Sequence, residues 1–120
     1  MTVSHNDLKI DYIEFNVSDI ARARAFYGKA FEWHFTDYGP DYCEFGDGRL
    51  TGGFTTLGPV RTGGPLILLY ADDLEGAVKR VETAGGKILR PPYGFPGGRR
   101  FHFADPDGYE LAIWTRDGEA

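Results

Sequence analysis

The sequence is poor in the residues on which several common functions depend. Among its 120 residues there are three histidines and a single cysteine, Cys43. A lone cysteine cannot form a disulfide within the chain, so a reducing compartment such as the cytoplasm is the default expectation. Acidic residues outnumber basic ones by 18 to 13, which argues against a nucleic-acid surface. No apolar run reaches the length of a signal-peptide core or a membrane span, so no membrane association is expected.

Aromatic residues, by contrast, are abundant. Nine Phe, seven Tyr and two Trp are more than a core of this size usually needs. Some of them are therefore expected to line a pocket or a subunit interface. A chain of this length is expected to form one domain, residues 1–120, whose core needs no metal or disulfide to fold.

The order of periodic segments repeats once along the chain. A helix is predicted from about Ile20 to Phe31 behind an N-cap at Asp19, and another after Asp73 that ends at Gly85-Gly86. Strand patterns are expected at 9–17, 32–36, 41–45 and 50–56 in the first half and at 65–71, 87–89, 99–104 and 109–114 in the second. Each half therefore has the order β-α-β-β-β, and two such halves must share a core.

The last hairpin carries the clearest turn signal. Asp105-Pro106-Asp107-Gly108 suits the four positions of a type I turn. In the strand that follows, Glu110, Ala112 and Trp114 share one face, because side chains alternate along a strand. That mixed polar and aromatic face is where a function could lie.

Four short motifs accompany the repeat: Val17-Ser18-Asp19, Ala23 to Tyr27, Ala84-Gly85-Gly86 and Phe103-x-Asp105-Pro106-Asp107-Gly108. Together, over about residues 9 to 115, they resemble the vicinal oxygen chelate superfamily, which includes glyoxalase I, extradiol dioxygenases, fosfomycin-resistance enzymes and bleomycin-resistance proteins. The resemblance implies an α+β fold of two βαβββ modules, about 9–57 and 65–115 with a connector at 58–64. It also implies a curved eight-stranded cup with the helices outside, and usually a homodimer.

The resemblance further implies a divalent metal held by His or Glu at four equivalent strand positions. Here those positions are Tyr12, Leu66, Ala112 and, when Asp47-Gly48 is aligned with Asp107-Gly108, Gly52. None supplies a ligand that a hard divalent cation prefers. We therefore predict that the metal is lost and that no cofactor replaces it.

Residues that share a strand face with those positions should line the cup. On this basis a small organic ligand is predicted to contact Tyr12, Glu14, Asn16, Phe54, Tyr70, Arg100, Glu110 and Trp114. Such a mixture of aromatic and oriented polar groups is typical of small-molecule sites. Arg100 could meet an anionic group of the ligand or only pair with surface carboxylates.

Two residues are candidates for acid-base chemistry. Glu14 could be a general base, or an ordinary solvated or salt-bridged carboxylate with Arg100 as its partner. His102 could point into the cup opposite Glu110 or be a hydrogen-bonded structural histidine. The segment from Tyr93 to Gly98 could be a lid or only a long hairpin connection.

Two functions remain open from the sequence. One is a metal-free protein that binds, and thereby sequesters, an aromatic or antibiotic-like compound. The other is an enzyme of the lyase, isomerase or dioxygenase type that uses cup carboxylates such as Glu14 or an unrecognised metal. Loss of the metal removes the electrophile of the superfamily, and this favours binding.

Overall fold

The computed structural model describes residues 7–118, so residues 1–6 and 119–120 of the predicted domain lie outside the described part. Two helices and eight strands occur in the described part. In chain order they are β1 (Tyr12–Asn16), α1 (Ile20–Phe31), β2 (His34–Asp37), β3 (Tyr42–Gly46), β4 (Thr51–Thr55), β5 (Ile67–Tyr70), α2 (Leu74–Thr83), β6 (Lys87–Phe95), β7 (Gly98–Ala104) and β8 (Glu110–Arg116).

The strands form two four-stranded sheets, with the orders β1-β4-β3-β2 and β5-β8-β7-β6. In each sheet the first strand runs parallel to the last and the other pairs are antiparallel. The fold is therefore α+β with the predicted two βαβββ modules, and the two sheets do not close into a barrel.

Both helices begin where the sequence predicts. The Asp19 carboxylate accepts the Arg22 N–H at 3.1 Å, and the Asp73 carboxylate accepts the Gly76 N–H at 3.0 Å. These bonds satisfy amide groups that have no partner in the first turn of a helix. The predicted helix from Ile20 to Phe31 has the observed bounds of α1.

The core lies on the helix side of both sheets. Tyr27 of α1 stacks on Phe54 of β4 with a centroid distance of 5.5 Å. Phe26 of α1 approaches Phe103 of β7 at 6.2 Å and joins the two modules. The opposite side of each sheet carries no helix, and we call these sides the outer faces.

One strand differs from prediction. The sequence predicts a short strand at 87–89 and a loop at 90–98, whereas β6 continues through Pro91-Pro92 to Phe95. Proline lacks an N–H, but β6 is an edge strand whose register shifts between Ile88 and Arg90 and again between Arg90 and Tyr93. Proline is tolerated at such edges and bulges. The segment from Tyr93 to Gly98 is therefore a hairpin with a tight turn.

The two equivalent hairpin turns differ in length, and this changes which residues correspond. The Asp47 N–H bonds the carbonyl of Leu50, whereas the Asp105 N–H bonds the carbonyl of Tyr109, one residue farther along. The strands after the turns are therefore offset by 59 positions (112 − 53), so Ala112 corresponds to Gly53. Gly52 was therefore the wrong equivalent of Ala112. Aligning Gly48 with Gly108 gives an offset of 60 positions (108 − 48), which is one more than the offset of the strands.

Candidate functional site

Phe54 does not line the outer face. Its side chain is fully buried on the helix side, where it also stacks on Phe45 at 4.9 Å. The prediction that Phe54 contacts a ligand beside Glu14 is wrong for this reason. Glu14 pairs with Gly53 in the β1/β4 register, and neighbouring residues on a strand point to opposite faces.

A phenol and carboxylate cluster occupies the outer face of the first sheet. Tyr42 donates its hydroxyl proton to Glu14 Oε1 at 2.9 Å, and Tyr12 Oη lies 2.6 Å from Tyr42 Oη. Because the only Tyr42 proton is directed at Glu14, Tyr12 must be the donor to Tyr42. A side chain at Gly53 would collide with both hydroxyls, so glycine makes their approach possible.

The chemistry of this first cluster is that of a hydrogen-bond acceptor. Burial, together with the bonds to Tyr12 and Glu14, raises the pKa of Tyr42 well above its usual range, so its phenol stays neutral at physiological pH. Both phenol protons are directed along the chain of bonds toward Glu14, which leaves oxygen lone pairs for a ligand. Glu14 takes Tyr42 as its partner, and the predicted pair with Arg100 is not formed.

A longer chain of bonds crosses the outer face of the second sheet. Arg100 Nε–H donates to Tyr93 Oη at 2.5 Å, and Tyr93 Oη lies 2.8 Å from His102 Nε2. His102 Nδ1 lies 2.8 Å from Glu110 Oε2. Arginine can only donate and carboxylate can only accept, so one consistent assignment has Tyr93 donating to Nε2 and Nδ1–H donating to Glu110.

The surroundings of this chain are cationic and partly enclosed. Arg90 lies with its guanidinium carbon 3.6 Å from the centre of the Tyr93 ring, a cation–π geometry. His102 is only 7% exposed, while Glu110 is half exposed at the end of the chain. His102 thus lies on the outer face and has a hydrogen-bond partner at each ring nitrogen.

An aromatic row extends the same face. Tyr70, Trp114, Arg100 and Tyr93 are register partners across β5, β8, β7 and β6. Trp114 meets Tyr70 edge to face at 5.1 Å and lies 6.2 Å from Phe95. Tyr70 remains 38% exposed. The row presents aromatic surface beside an arginine, and Tyr70, Arg100 and Trp114 are among the residues that the sequence predicts to contact a ligand.

A separate groove of about 760 Å³ lies between the modules. It is lined by apolar residues such as Ile13, Trp33 and Ile67, and it reaches Tyr70 at the edge of β5. The ion pair of Arg80 and Glu32, at 3.1 Å, belongs to its rim. Neither hydrogen-bonded cluster opens into it. The groove also has charged lining residues, among them Asp47, Arg49 and Asp72. We favour the outer face of the second sheet, because its aromatic rings and polar groups lie together in one row.

The remaining predicted residue and the cysteine play smaller parts. Asn16 lies at the end of β1 with its side chain against Gly58. Cys43 is buried on the helix side, and burial raises the pKa of its thiol. A buried neutral thiol is a packing residue and not a nucleophile.

Sequence reasoning missed three residues of the two clusters. Tyr93 and Arg90 were assigned to a loop, because Pro91-Pro92 hid the continuation of β6. Tyr42 was missed because no face was assigned to β3. The register pairs Glu44 with Gly53 and places Tyr42 on the same face. The alternation of side chains along β3 was therefore the signal that could have found Tyr42.

The donors present do not fit the superfamily's metal. Tyr12, Gly53, Leu66 and Ala112 supply one phenol and no carboxylate or imidazole. Over residues 7–118 no group of three His, Cys, Asp or Glu side chains could hold a metal ion. The loss of the metal stays a prediction.

Neither helix within residues 7–118 is long and apolar enough to cross a membrane.

Comparisons with known proteins agree with the resemblance. The sequence model of the Glyoxalase/Bleomycin resistance protein/Dioxygenase superfamily matches residues 9–113. Over 51 residues the chain is 41% identical to the anthracycline biosynthesis protein DnrV of Streptomyces peucetius, a match that covers 42% of this chain and 18% of that protein. The chain thus spans less than a fifth of the length of that relative.

Solved structures share the fold. A glyoxalase-related enzyme from Fulvimarina pelagi superposes with a TM-score of 0.77 at 22% identity, covering 91% of this chain and 88% of that one. An integron cassette protein from the mobile metagenome of V. cholerae gives 0.72 at 27% identity over 96% and 97% of the two chains. The two βαβββ modules and the match over most of the sequence show that this chain belongs to the Glyoxalase/Bleomycin resistance protein/Dioxygenase superfamily.

Proposed function

We propose that the protein binds a small aromatic compound on the outer face of its second sheet, without a metal. The observation that carries this proposal is the row of Tyr70, Trp114, Arg100 and Tyr93 across all four strands. Aromatic rings stack favourably on planar ligands, and a rigid sheet holds the row in place. The ligand would lie along this row.

Arg100 supplies the polar contact. Its Nε–H is used by Tyr93, and among residues 7–118 no partner bonds its two terminal nitrogens. Those nitrogens form a fork that suits a carboxylate, phenolate or carbonyl oxygen. The favoured ligand is therefore a planar aromatic compound that carries an anionic or carbonyl oxygen at one edge.

The relative from antibiotic biosynthesis points to the same class. DnrV is described as an anthracycline biosynthesis protein, and anthracyclines contain a planar fused ring system with carbonyl and phenol oxygens. The match covers less than half of this chain. It supports the ligand class, polycyclic aromatic compounds with edge oxygens, and no particular compound.

We also propose that the chain is one domain that functions as a homodimer. Residues of both modules share one core, which supports a single domain. Tyr12 and Leu68 are each about two-fifths exposed on the outer faces, and β1 and β5 each have one edge without a paired strand among the described residues. A second copy would cover these surfaces.

A dimer mass is therefore expected in solution. Light scattering of the purified protein at micromolar concentration should give twice the 13.4 kDa of one chain. Leu68→Asp introduces a charge on the exposed apolar face and should shift the mass toward one chain, whereas Leu57→Asp, on an exposed loop, should not. A wild-type mass of one chain would contradict the dimer.

The two tryptophans distinguish the two candidate binding places. Trp114 lies on the outer face, whereas Trp33 lines the groove between the modules. We expect anthraquinone-2-sulfonate, a soluble planar probe with an anionic edge, to quench Trp114 emission in a Trp33→Phe variant. The same probe should leave Trp33 emission nearly unchanged in a Trp114→Phe variant.

Arg100→Gln in the Trp33→Phe background should lower the affinity for the probe roughly tenfold or more. The substitution removes a charged hydrogen bond worth about 1.5 to 3 kcal/mol. Arg61→Gln, at an exposed arginine outside the groove, is the matched control. If the probe quenches Trp33 instead of Trp114, it binds in the groove. If it quenches neither tryptophan, the proposal is rejected.

A further inference from the structure

Binding alone does not use the chain of bonds from Arg100 through Tyr93 and His102 to Glu110. The chain connects β6, β7 and β8 by three contacts of 2.5 to 2.8 Å. With Tyr93 donating to His102 Nε2, donation runs in one direction, from the arginine to the carboxylate. A ligand over Trp114 would lie beside the Arg100 end of the chain, with Tyr93 next to it, because Trp114, Arg100 and Tyr93 follow one another in the same row.

The arrangement permits a proton to leave Tyr93 without creating an isolated charge. Transfer of the Oη proton to His102 Nε2 forms a tyrosinate and an imidazolium. The tyrosinate keeps the hydrogen bond from Arg100 and lies under the Arg90 guanidinium, while the imidazolium keeps its bond to Glu110. Each new charge thus has an opposite charge at hydrogen-bond or cation–π distance, which is what stabilises charge in a partly enclosed site.

We propose that Tyr93 is a general acid-base residue that moves a proton on the bound aromatic compound, with His102 and Glu110 as positioning residues. This inference rests on the proposed function, since the substrate is the ligand on the outer face. Its substrate class is carbon acids, compounds in which a C–H bond lies next to a carbonyl or a comparable electron acceptor. The reaction class is isomerisation or elimination initiated by proton abstraction.

The step balances without a co-reactant. The tyrosinate oxygen takes the proton as the C–H bond breaks. The freed electron pair forms a C=C bond, and the carbonyl π electrons move to oxygen as an enolate. The terminal nitrogens of Arg100 are available to that oxygen. Return of the same proton from Tyr93 to a different carbon completes an isomerisation and regenerates the tyrosinate.

The inference can be tested with 5-nitrobenzisoxazole, a planar carbon acid. Removal of its ring C–H proton breaks the N–O bond and yields a nitrile and a coloured phenolate, with no other reagent. Wild-type protein should accelerate this reaction over buffer. Tyr93→Phe, which keeps the ring, should lower kcat/KM by about 100-fold or more. Tyr38→Phe, at an exposed tyrosine outside both clusters, is the matched control and should leave kcat/KM unchanged.

The positioning residues have separate readouts. His102→Ala should lose most of the rate, and added imidazole should restore part of it, which a mere packing defect would not show. Glu110→Gln should lower kcat more than it changes KM. Protein treated with a chelator should keep its full rate, because the base is the Tyr93 tyrosinate and not a metal-bound hydroxide.

Failure of this inference is distinguishable from failure of the proposed function. If anthraquinone-2-sulfonate quenches Trp114 but wild-type protein is no faster than buffer, or Tyr93→Phe is as fast as wild type, the acid-base role is overturned and binding stands. If Trp114 is not quenched, the proposed function itself fails.

Discussion

Replacing Phe54 with alanine is expected to lower the free energy of unfolding by about 3 to 5 kcal/mol. The ring is fully buried and stacks on Tyr27 and Phe45. Its removal would leave a cavity between α1 and the first sheet, because the surrounding rings can collapse only partly. Urea or thermal unfolding followed by circular dichroism measures this loss.

The matched control is Tyr70→Ala, an aromatic deletion on the outer face. Tyr70 is 38% exposed, meets Trp114 edge to face and lies under the Arg116 guanidinium, so a loss of about 1 kcal/mol is expected. Tyr70→Ala should instead weaken quenching of Trp114 by the anthraquinone probe. Equal destabilisation by the two substitutions would contradict the register that turns Phe54 toward the helix.

Replacing Asp105 with alanine is expected to be comparably severe. The Asp105 carboxylate accepts the Tyr27 hydroxyl at 2.8 Å and the N–H groups of Asp107 and Tyr109, each at 2.9 Å. One side chain thus joins α1 of the first module to the last turn of the second. Each donor left without a partner costs about 1 to 3 kcal/mol, so a total loss of at least about 3 kcal/mol is expected. Asp105→Asn, which keeps the shape, should lose clearly less.

The same residue predicts a pH dependence. Burial raises the pKa of Asp105 above its ordinary value of 3.8, although its hydrogen bonds oppose the shift. The folded state therefore holds this proton more tightly than the unfolded state. The contribution of Asp105 to stability is full below pH 3.8 and is lost as the pH rises through the higher pKa of the folded state.

The difference between wild type and Asp105→Asn isolates this effect, because the other groups titrate alike in both proteins. The variant should gain stability relative to wild type as the pH rises from about 3 to 7. Unfolding free energies measured across that range provide the comparison. A difference that is constant, or that moves in favour of wild type, would contradict a raised pKa.

Local patterns were enough to predict the helices. Asp19 and Asp73 cap them, and the apolar stripes behind these residues are local features of the chain. The alternation of side chains between the two faces of a strand was equally reliable along β1, β5 and β8. Glu14, Tyr70 and Trp114 therefore lie on the outer faces as expected. The family resemblance, which the superfamily match confirms, supported the pairing of the modules.

Two predictions failed where non-local structure overrode a local signal. Pro91-Pro92 indicated a loop. At a sheet edge where the register shifts, however, a proline interrupts no backbone hydrogen bond between strands. Phe54 was assigned to the ligand face by aligning two turns of unequal length. A one-residue difference reverses the face of every later side chain in the strand.

The sequence by itself determined the superfamily, the duplicated module, the helices and the faces of three strands, since each rests on short-range periodicity or on motifs contiguous in the chain. Only the tertiary structure decided which side chains meet: Tyr42 with Glu14, Tyr93 with His102, and Tyr27 with Asp105. Partners in these pairs are separated by 28, 9 and 78 positions. Their meeting depends on turn lengths, register shifts and the packing of α1 against the second module, which no local pattern encodes.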